Sequence, residues 1–377
     1  MAGNRMAYLE SYDTGDKYVL GECLGQGGFG EAFRAALLRR NRPSPKQVCI
    51  KIAGDVESWH REAYFGEVLR GHLGAVQMEC TFVGRRGRKH PLYCTVFELA
   101  AGSVADKLSE GGFGWTERRI LSEFTRVTEA VAALHRSGMV HRDITPMNVL
   151  QMPNGHLKLA DYGIATGNLA GGKITADAFN PSHTPDTILD GKQTWGPRED
   201  VWQLGQLLAM LIIDSTNPGY YRTTCPGPII RDSVRDLRCS DRAKEIMYRC
   251  VAKAAFRLRD ADEVLRVARM GGDYRLSRIG SLRNRTIVFT GPAPLPRSEM
   301  KRLARKMKAR CVEKQVTGAV DTVVVGGTSP VWAAGSKGVK LLAALQKKDD
   351  GHPIKFISAE RFLSLAGKKI SAAAFRA

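Results

Sequence analysis

The sequence predicts two folded parts of different class. The first, residues 17–270, is α+β, with strands early and helices late. The second, residues 285–370, is a small α/β domain on a parallel sheet. Three observations carry this. Alternating apolar positions flank a glycine cluster between Lys17 and Leu37, as in two strands joined by a tight loop. Apolar residues recur at helical spacing through Thr116–Arg136. Beyond residue 285, continuous short apolar runs alternate with helical stretches, the pattern of βαβ crossovers.

In chain order, residues 1–16 are polar and are expected to form a flexible N-terminus. After the glycine loop, VCIKIA (Val48–Ala53) reads as a further strand and Val56–Leu73 as a helix. CTFVGRRGRKHPLYCTVFEL reads as two strands around a basic turn, Arg85–Lys89, which could add to an anion-docking surface. In Thr116–Arg136 the residues Ile120, Leu121, Phe124, Val127, Val131 and Leu134 share one face, and Gly138 marks the stop. Val201–Ile213 is apolar enough to be a buried helix. Asp241–Ala254 and Asp260–Met270 are further helices, each opening on an aspartate that can cap orphan amides. Gly271–Asn284 is rich in glycine, arginine and serine and reads as a linker. IVFT (287–290), TVVV (322–325) and IKFI (354–357) are the strands of the second part, and residues 371–377 are a tail.

The totals exclude several classes. An apolar share of 43% suits globular domains. No run of about 18 apolar residues is present, so no membrane span is expected. The first residues lack the apolar core of a signal peptide. None of the eight cysteines forms a C-x-x-C pair, so neither a zinc site nor a disulfide framework is expected, and the compartment reads as a reducing cytosol. The net charge of +19 is uneven. From Gly271 onward 21 Lys/Arg stand against 7 Asp/Glu, so +14 lies in the last quarter and points to a polyanion partner.

The first part carries an ordered set of chemical groups. GQGGFG (Gly25, Gly27, Gly28 and Gly30) follows a strand, and glycines let backbone amides approach phosphates. A Rossmann loop would lead straight into a helix, whereas here a return strand follows. Lys51 emerges from a strand, where a cation can hold nucleotide phosphates. It needs a carboxylate to fix it; Glu62 is the candidate and Glu67 the second choice. Asp143, in HRDITPMN, can accept a proton from an attacking hydroxyl. Asn148 and Asp161 offer hard oxygens to Mg²⁺ or Mn²⁺, which neutralises charge on a transferring phosphoryl group.

Together these groups resemble a eukaryotic-type protein kinase domain, most like the Ser/Thr branch, over residues 17–270. The resemblance implies a two-lobed kinase fold, ATP as phosphoryl donor and protein Ser/Thr hydroxyls as acceptors. It places Phe97 as gatekeeper beside the adenine, with Glu98 and Leu99 offering hinge backbone groups. It makes Asp200 the aspartate that ties the catalytic loop to a buried helix. Asp186, in TPD where the family has A-P-E, would pair with Arg257 or Arg259. Arg142 would await a phosphorylated activation segment, for which Thr175, Thr166 and Ser182 are the autophosphorylation candidates. One departure is paired. Thr145 replaces the lysine that helps hold the γ-phosphate, and Phe179 replaces the threonine that contacts that lysine. The Thr145 hydroxyl can still bond Asp143 or a phosphate oxygen. The competing reading is a nucleotide-binding pseudokinase scaffold.

The second part resembles a BRCT domain such as that of bacterial DNA ligases, over residues 285–370. The strand ending in FTG, TVVVGG, SKGVKLLAALQ and PIKFISAERFLSLAG carry the resemblance, with Phe362 where many members have tryptophan and Lys308-Ala309 where the family often has Gly-Gly. The helix Ser298–Ala309 sets Met300, Leu303, Ala304 and Met307 on an apolar stripe and covers the rest with Lys and Arg, which can neutralise DNA phosphates without reading bases. The resemblance implies a phosphate-binding site from Thr290, the Gly291 amide and a nearby cation, Arg297, Lys337 or Lys340, for DNA or a phosphoprotein. The whole reads as a cytoplasmic kinase, nucleoid-associated through that domain, in a bacterial or phage response to DNA damage or invasion.

Overall fold

The computed structural model describes residues 8–27, 30–39, 42–85, 91–162, 166–167, 184–185, 188, 194–223, 228–229, 231–254, 257–270, 276–326 and 338–368. They fall into two compact units, Met1–Pro228 with Arg259–Leu265, and Ile229–Leu258 with Arg266–Ala377.

The first unit begins with a closed antiparallel barrel. Its strands are β1 (Tyr8–Ser11), β2 (Lys17–Gly27), β3 (Gly30–Arg39), β4 (Arg42–Ala53), β5 (Met78–Arg85) and β6 (Leu92–Glu98), in the order β1-β2-β3-β4-β6-β5. The expected flexible N-terminus is thus corrected for Tyr8–Ser11. Leu9 is fully buried, and β1 pairs with both β2 and β5 to close the barrel. Gly30 has a glycine-only geometry. Its φ is +134°, and a Cβ there would lie 2.1 Å from the Ile52 carbonyl oxygen.

Helix α1 (Val56–Val68) starts at Asp55, whose carboxylate accepts from the Ser58 amide at 2.8 Å. It ends five residues before the expected Leu73. Gly71 adopts φ +77°, and Gln77 holds the following turn, accepting from Gly71 N and donating to the His72 and Ala75 carbonyls. The helix Glu117–Arg136 buries Ile120, Phe124, Val127, Val131 and Leu134, and Gly138 follows at φ +73°. The helix Pro197–Thr216 is buried nearly all round, polar Asp200, Gln203 and Gln206 included. Short strands Gly102–Ser103, Val149–Gln151 and Leu157–Leu159 form a three-stranded sheet that fixes the loops on either side of Asn148 and Asp161. Asp260 caps the helix Ala261–Met270 as expected, accepting from Glu263 N.

The second unit includes the helix Asp241–Cys250, capped by Ser240 rather than by Asp241. Its main feature is a four-stranded parallel sheet of Cys311–Glu313, Thr286–Thr290, Thr322–Val325 and Lys355–Ser358, in that spatial order. The first of these was not placed from sequence. The helices Arg297–Lys306 and Ala359–Leu365 cover one face, with Phe289, Met300, Leu303, Ile357 and Phe362 buried between. The helix Val339–Asp349 covers the other over Val288, Val323, Val325, Leu341 and Phe356. The stretch expected as a linker is corrected in part. Ile279 and Leu282 join the first of these cores, Ser277 N bonds the Phe356 carbonyl at 2.6 Å, and Arg361 donates to the Ile279 carbonyl. Two isolated apolar residues thus anchor a segment whose composition is otherwise that of a connector.

Candidate active site

Three elements of the first unit converge on one ammonium group. Lys51 Nζ, on β4, lies 2.7 Å from Glu62 Oε1 on α1 and 2.7 Å from Asp161 Oδ1. Glu62 is 2% exposed, so the pair is shielded from water. Burial alone would pull Lys51 down, but the two carboxylates outweigh it and hold the amine protonated. The second-choice partner, Glu67, is corrected. It sits on the exposed face of α1 and pairs with Arg70.

The HRD loop is fixed from below by Asp200. Its Oδ2 accepts from His141 N at 2.7 Å, its Oδ1 from Arg142 N at 2.9 Å and from Trp195 Nε1 at 2.8 Å. His135 Nε2 lies 3.0 Å from Oδ2. Because His135 Nδ1 accepts the Ala261 amide, its proton is on Nε2 and is donated to Asp200. Gln203 continues the lattice, accepting from Ile144 N and donating to the Arg142 carbonyl. This lattice holds Arg142 at φ +74°, a conformation that a non-glycine residue keeps only when its surroundings impose it. Asp161 is likewise at φ +61°. The Asp200 tether was expected; His135, Trp195 and Gln203 were not.

At the loop's working end, Asn148 Nδ2 donates to Asp143 Oδ2 at 2.7 Å and to the Asp143 carbonyl at 3.0 Å. Asp143 Oδ1 has no hydrogen-bond partner among the described residues. Burial pushes the Asp143 carboxyl up to about 6, Asn148 holds it back, and Asp161 adds to the rise. Ala160 N bonds the Asn148 carbonyl at 2.8 Å, which brings Asn148 and Asp161 side by side. With the Asn148 NH₂ committed to Asp143, its amide oxygen remains, beside a carboxylate. Two hard oxygens of this kind fit Mg²⁺ or Mn²⁺. Tyr162, fully buried, stacks on Phe65 of α1 and meets the His141 ring edge-on, so α1 and the loop share one aromatic column. Thr145 is 2% exposed, with its amide on the Asp143 carbonyl.

Phe97 is buried with Met78, Met152 and Ala160, and half-buried Cys49, Ala100 and Leu150 pack against that cluster. This cluster begins two residues from Lys51 on the same strand; Cys49 and Leu150 were not foreseen in it. Glu98 was expected to offer hinge backbone groups, and one of them, its N–H, is already engaged. Its amide donates to the Gln77 carbonyl, and its carboxylate holds Lys158 and Gln77 N. Leu99 follows it. Around Gly25 and Gly27 an added Cβ would meet nothing within 4 Å; Gly28 lies outside the described residues.

A family model, the protein kinase domain, matches residues 18–253. The chain belongs to the protein kinase family. It is 28% identical over 198 residues to the serine/threonine-protein kinase PEPKR2 of Arabidopsis thaliana, covering 52% of this chain and 40% of the relative. It is 25% identical over 268 residues to calcium-dependent protein kinase 7 of Oryza sativa subsp. japonica, covering 67% and 48%. Against mouse serine/threonine-protein kinase SIK1 the identity is 27% over 205 residues, covering 52% and 25%. The chain thus spans half or less of the length of these relatives.

The remaining expected positions divide as follows. Asp186, Thr175, Ser182, Phe179 and Lys337, and the basic turn beyond Arg85, lie outside the described residues. Thr166 is described only as backbone, paired with Val140. Arg259 bonds Glu263, while Arg257 is buried and donates to the Ala252 carbonyl. In the second unit, Thr290 ends its strand 3% exposed, and Gly291 follows at φ +74°. Arg297 donates to the Gly291 carbonyl and lies over the Phe289 ring. Burial pulls Lys340 down, and Arg297 and Lys301 repel it further, so three cations share this corner.

Proposed function

We propose that this protein transfers the γ-phosphate of ATP to Ser/Thr hydroxyls of proteins, its own activation segment included. The observation that carries the reading is Lys51 bridged to both Glu62 and Asp161 at 2.7 Å. A strand cation held in this way can fix two phosphates of a nucleotide whose base lies against the apolar cluster around Phe97. Asp143 orients the acceptor hydroxyl with Oδ1 while Asn148 holds Oδ2. Its carboxyl, raised to about 6, is matched to taking up a proton near neutral pH. Asn148 and Asp161 would hold Mg²⁺, which supplies neutralisation of phosphoryl charge. Asp200 and Gln203 keep the loop in register. The Thr145 hydroxyl stands in for the lysine beside the acceptor.

Residues 285–370, in this reading, are a BRCT-type domain that carries the kinase to DNA. Its support is the strand order with helices on both faces, Phe362 in the core, and the Arg297–Lys301–Lys340 corner beside Thr290. The setting is cytoplasmic and nucleoid-associated, in a bacterial or phage DNA-damage or defence response.

The test is labelled phosphate transfer from Mg-ATP, with and without nicked or broken DNA. Wild-type protein transfers phosphate, Asp143→Asn and Asp161→Ala lose at least about a hundredfold of it, and DNA ends raise the rate. Signal persisting in both variants, or none in wild type, refutes the kinase reading and leaves the scaffold. Tighter binding to a phosphopeptide than to DNA, persisting at high salt, moves the second unit to a phosphoprotein partner.

A further inference from the structure

Residues 282–311 carry nine Lys/Arg against one acid, Glu299. Backbone bonds gather this charge. Asn284 N donates to the Lys308 carbonyl at 2.9 Å, and Arg310 N to the Arg285 carbonyl at 2.9 Å. Asn284 and Lys308 are both left-handed, at φ +62° and +60°. Two short loops, 283–285 and 308–310, thus lie side by side just before the strand Thr286–Thr290 begins. Beyond the strand's other end, Arg297 donates to the Gly291 carbonyl. The helix Arg297–Lys306 runs between the two ends. It buries Met300, Leu303 and Ala304 and exposes Arg302, Arg305 and Lys306. Arg283, Lys308 and Arg310 are exposed as well. Among the described residues Arg283, Arg305, Lys306 and Lys308 form no ion pair. Arg302 meets Glu299 only at 3.5 Å, and Arg310 meets Asp321 only at 3.9 Å.

We infer that these six exposed cations form a track for the backbone of duplex DNA, from the paired loops along the helix to the Thr290 end. This rests on the DNA reading of residues 285–370. It adds a contact that is separate from the Thr290 corner and takes in Arg283, from the stretch expected as a linker. A phosphopeptide brings one phosphate to one corner. Cations strung along a helix of ten residues, about 15 Å long, match a repeating polyanion instead. At ~3.4 Å of duplex axis per phosphate on each strand, the track spans about four phosphates. Each phosphate neutralised releases a condensed counterion, so binding weakens as salt rises. Cations that touch phosphate rather than base edges are indifferent to sequence.

The experiment titrates the full chain with blunt DNA duplexes, with and without a terminal phosphate, over a series of salt concentrations. For wild type, log Kd rises with log salt at about 0.9 per cation engaged, a slope of roughly 5, on both duplexes and for unrelated base sequences. Arg283→Gln combined with Lys308→Asn, a residue that tolerates the left-handed backbone, lowers that slope by roughly 2. The ratio of affinities for the two duplexes stays as in wild type. Lys348→Gln, on the helix covering the other face of the sheet, leaves the slope unchanged. If the double variant melts early, Arg305→Gln with Lys306→Gln carries the same test. Binding whose slope does not fall in the double variant, or falls as much in Lys348→Gln, overturns the track and leaves DNA recognition at the Thr290 corner intact. No binding to either duplex overturns both.

Discussion

Asp200→Asn leaves the shape of the helix Pro197–Thr216 unchanged and alters one atom's polarity. The carboxylate now accepts from four donors, two on each oxygen. An asparagine offers one oxygen, so whichever way it turns, two donors face an NH₂ group. The exchange is not relieved by removing a buried charge. Burial pushes the Asp200 carboxyl up, but His135 and the His141 amide outweigh it and its net displacement is downward. The ionised form is therefore the one the site favours. Two hydrogen bonds to a charged group are worth about 1.5–3 kcal/mol each, so the loss is roughly 3–6 kcal/mol. That is a large part of the ~5–15 kcal/mol by which a domain is stable. At ~2–4 °C per kcal/mol for a domain of this size, thermal unfolding should fall by about 6–24 °C. Hydrogen exchange should quicken at the His141 or the Arg142 amide, whichever faces the NH₂ group. A variant melting within about 2 °C of wild type, with both amides as protected as before, would refute the tether.

Other consequences are narrower. Glu62→Gln removes one charge from a shielded pair and should lower phosphate transfer at least about tenfold with little change in melting temperature, read by turnover beside calorimetry. Asp143→Asn should lower turnover by roughly 10²–10⁴ while nucleotide binding, measured by titration calorimetry, persists. Leu282→Ala, in the stretch that resembles a connector, should destabilise the second unit by about 2–5 kcal/mol in urea unfolding; a shift below ~0.5 kcal/mol would return that stretch to a linker. Alkylation of native protein followed by peptide mapping should mark exposed Cys23 and Cys311. It should spare Cys94 and Cys250, whose buried thiols are pushed up to about 12.

The chemistry of the first unit was legible because it is written locally. The lysine of VCIK, HRD-x4-N and DYG are short words whose residue types admit few substitutes, and their order supplies the geometry. The lattice under the loop was less so. Gln203 and Trp195 have no meaning in sequence until a helix some sixty residues away is set against His141–Ile144. Lengths failed for a different reason. Tyr8–Ser11 is four residues among polar ones, below the span over which alternation is readable, and its burial depends on the gap left between β2 and β5. Ile279 and Leu282 are too sparse to show a period. Helix α1 is shorter than its sequence pattern because Gly71 alone does not reveal that Gln77 takes over the backbone of the turn. The apolar strands of the second unit were readable because a parallel sheet buried on both faces permits little but Val, Ile and Phe.

β1 has a consequence for how the molecule is cut. The family match begins at residue 18, ten residues after β1 starts. A polypeptide begun there would still carry every group proposed to handle phosphate. It would also present two raw sheet margins, one along β2 and one along β5, where Tyr8–Ser11 now pairs with both. Unpaired margins recruit strands from other chains. Such a fragment should self-associate and lose soluble yield before it loses catalytic competence. Four residues remote from the chemistry thus act as the seam that closes the barrel.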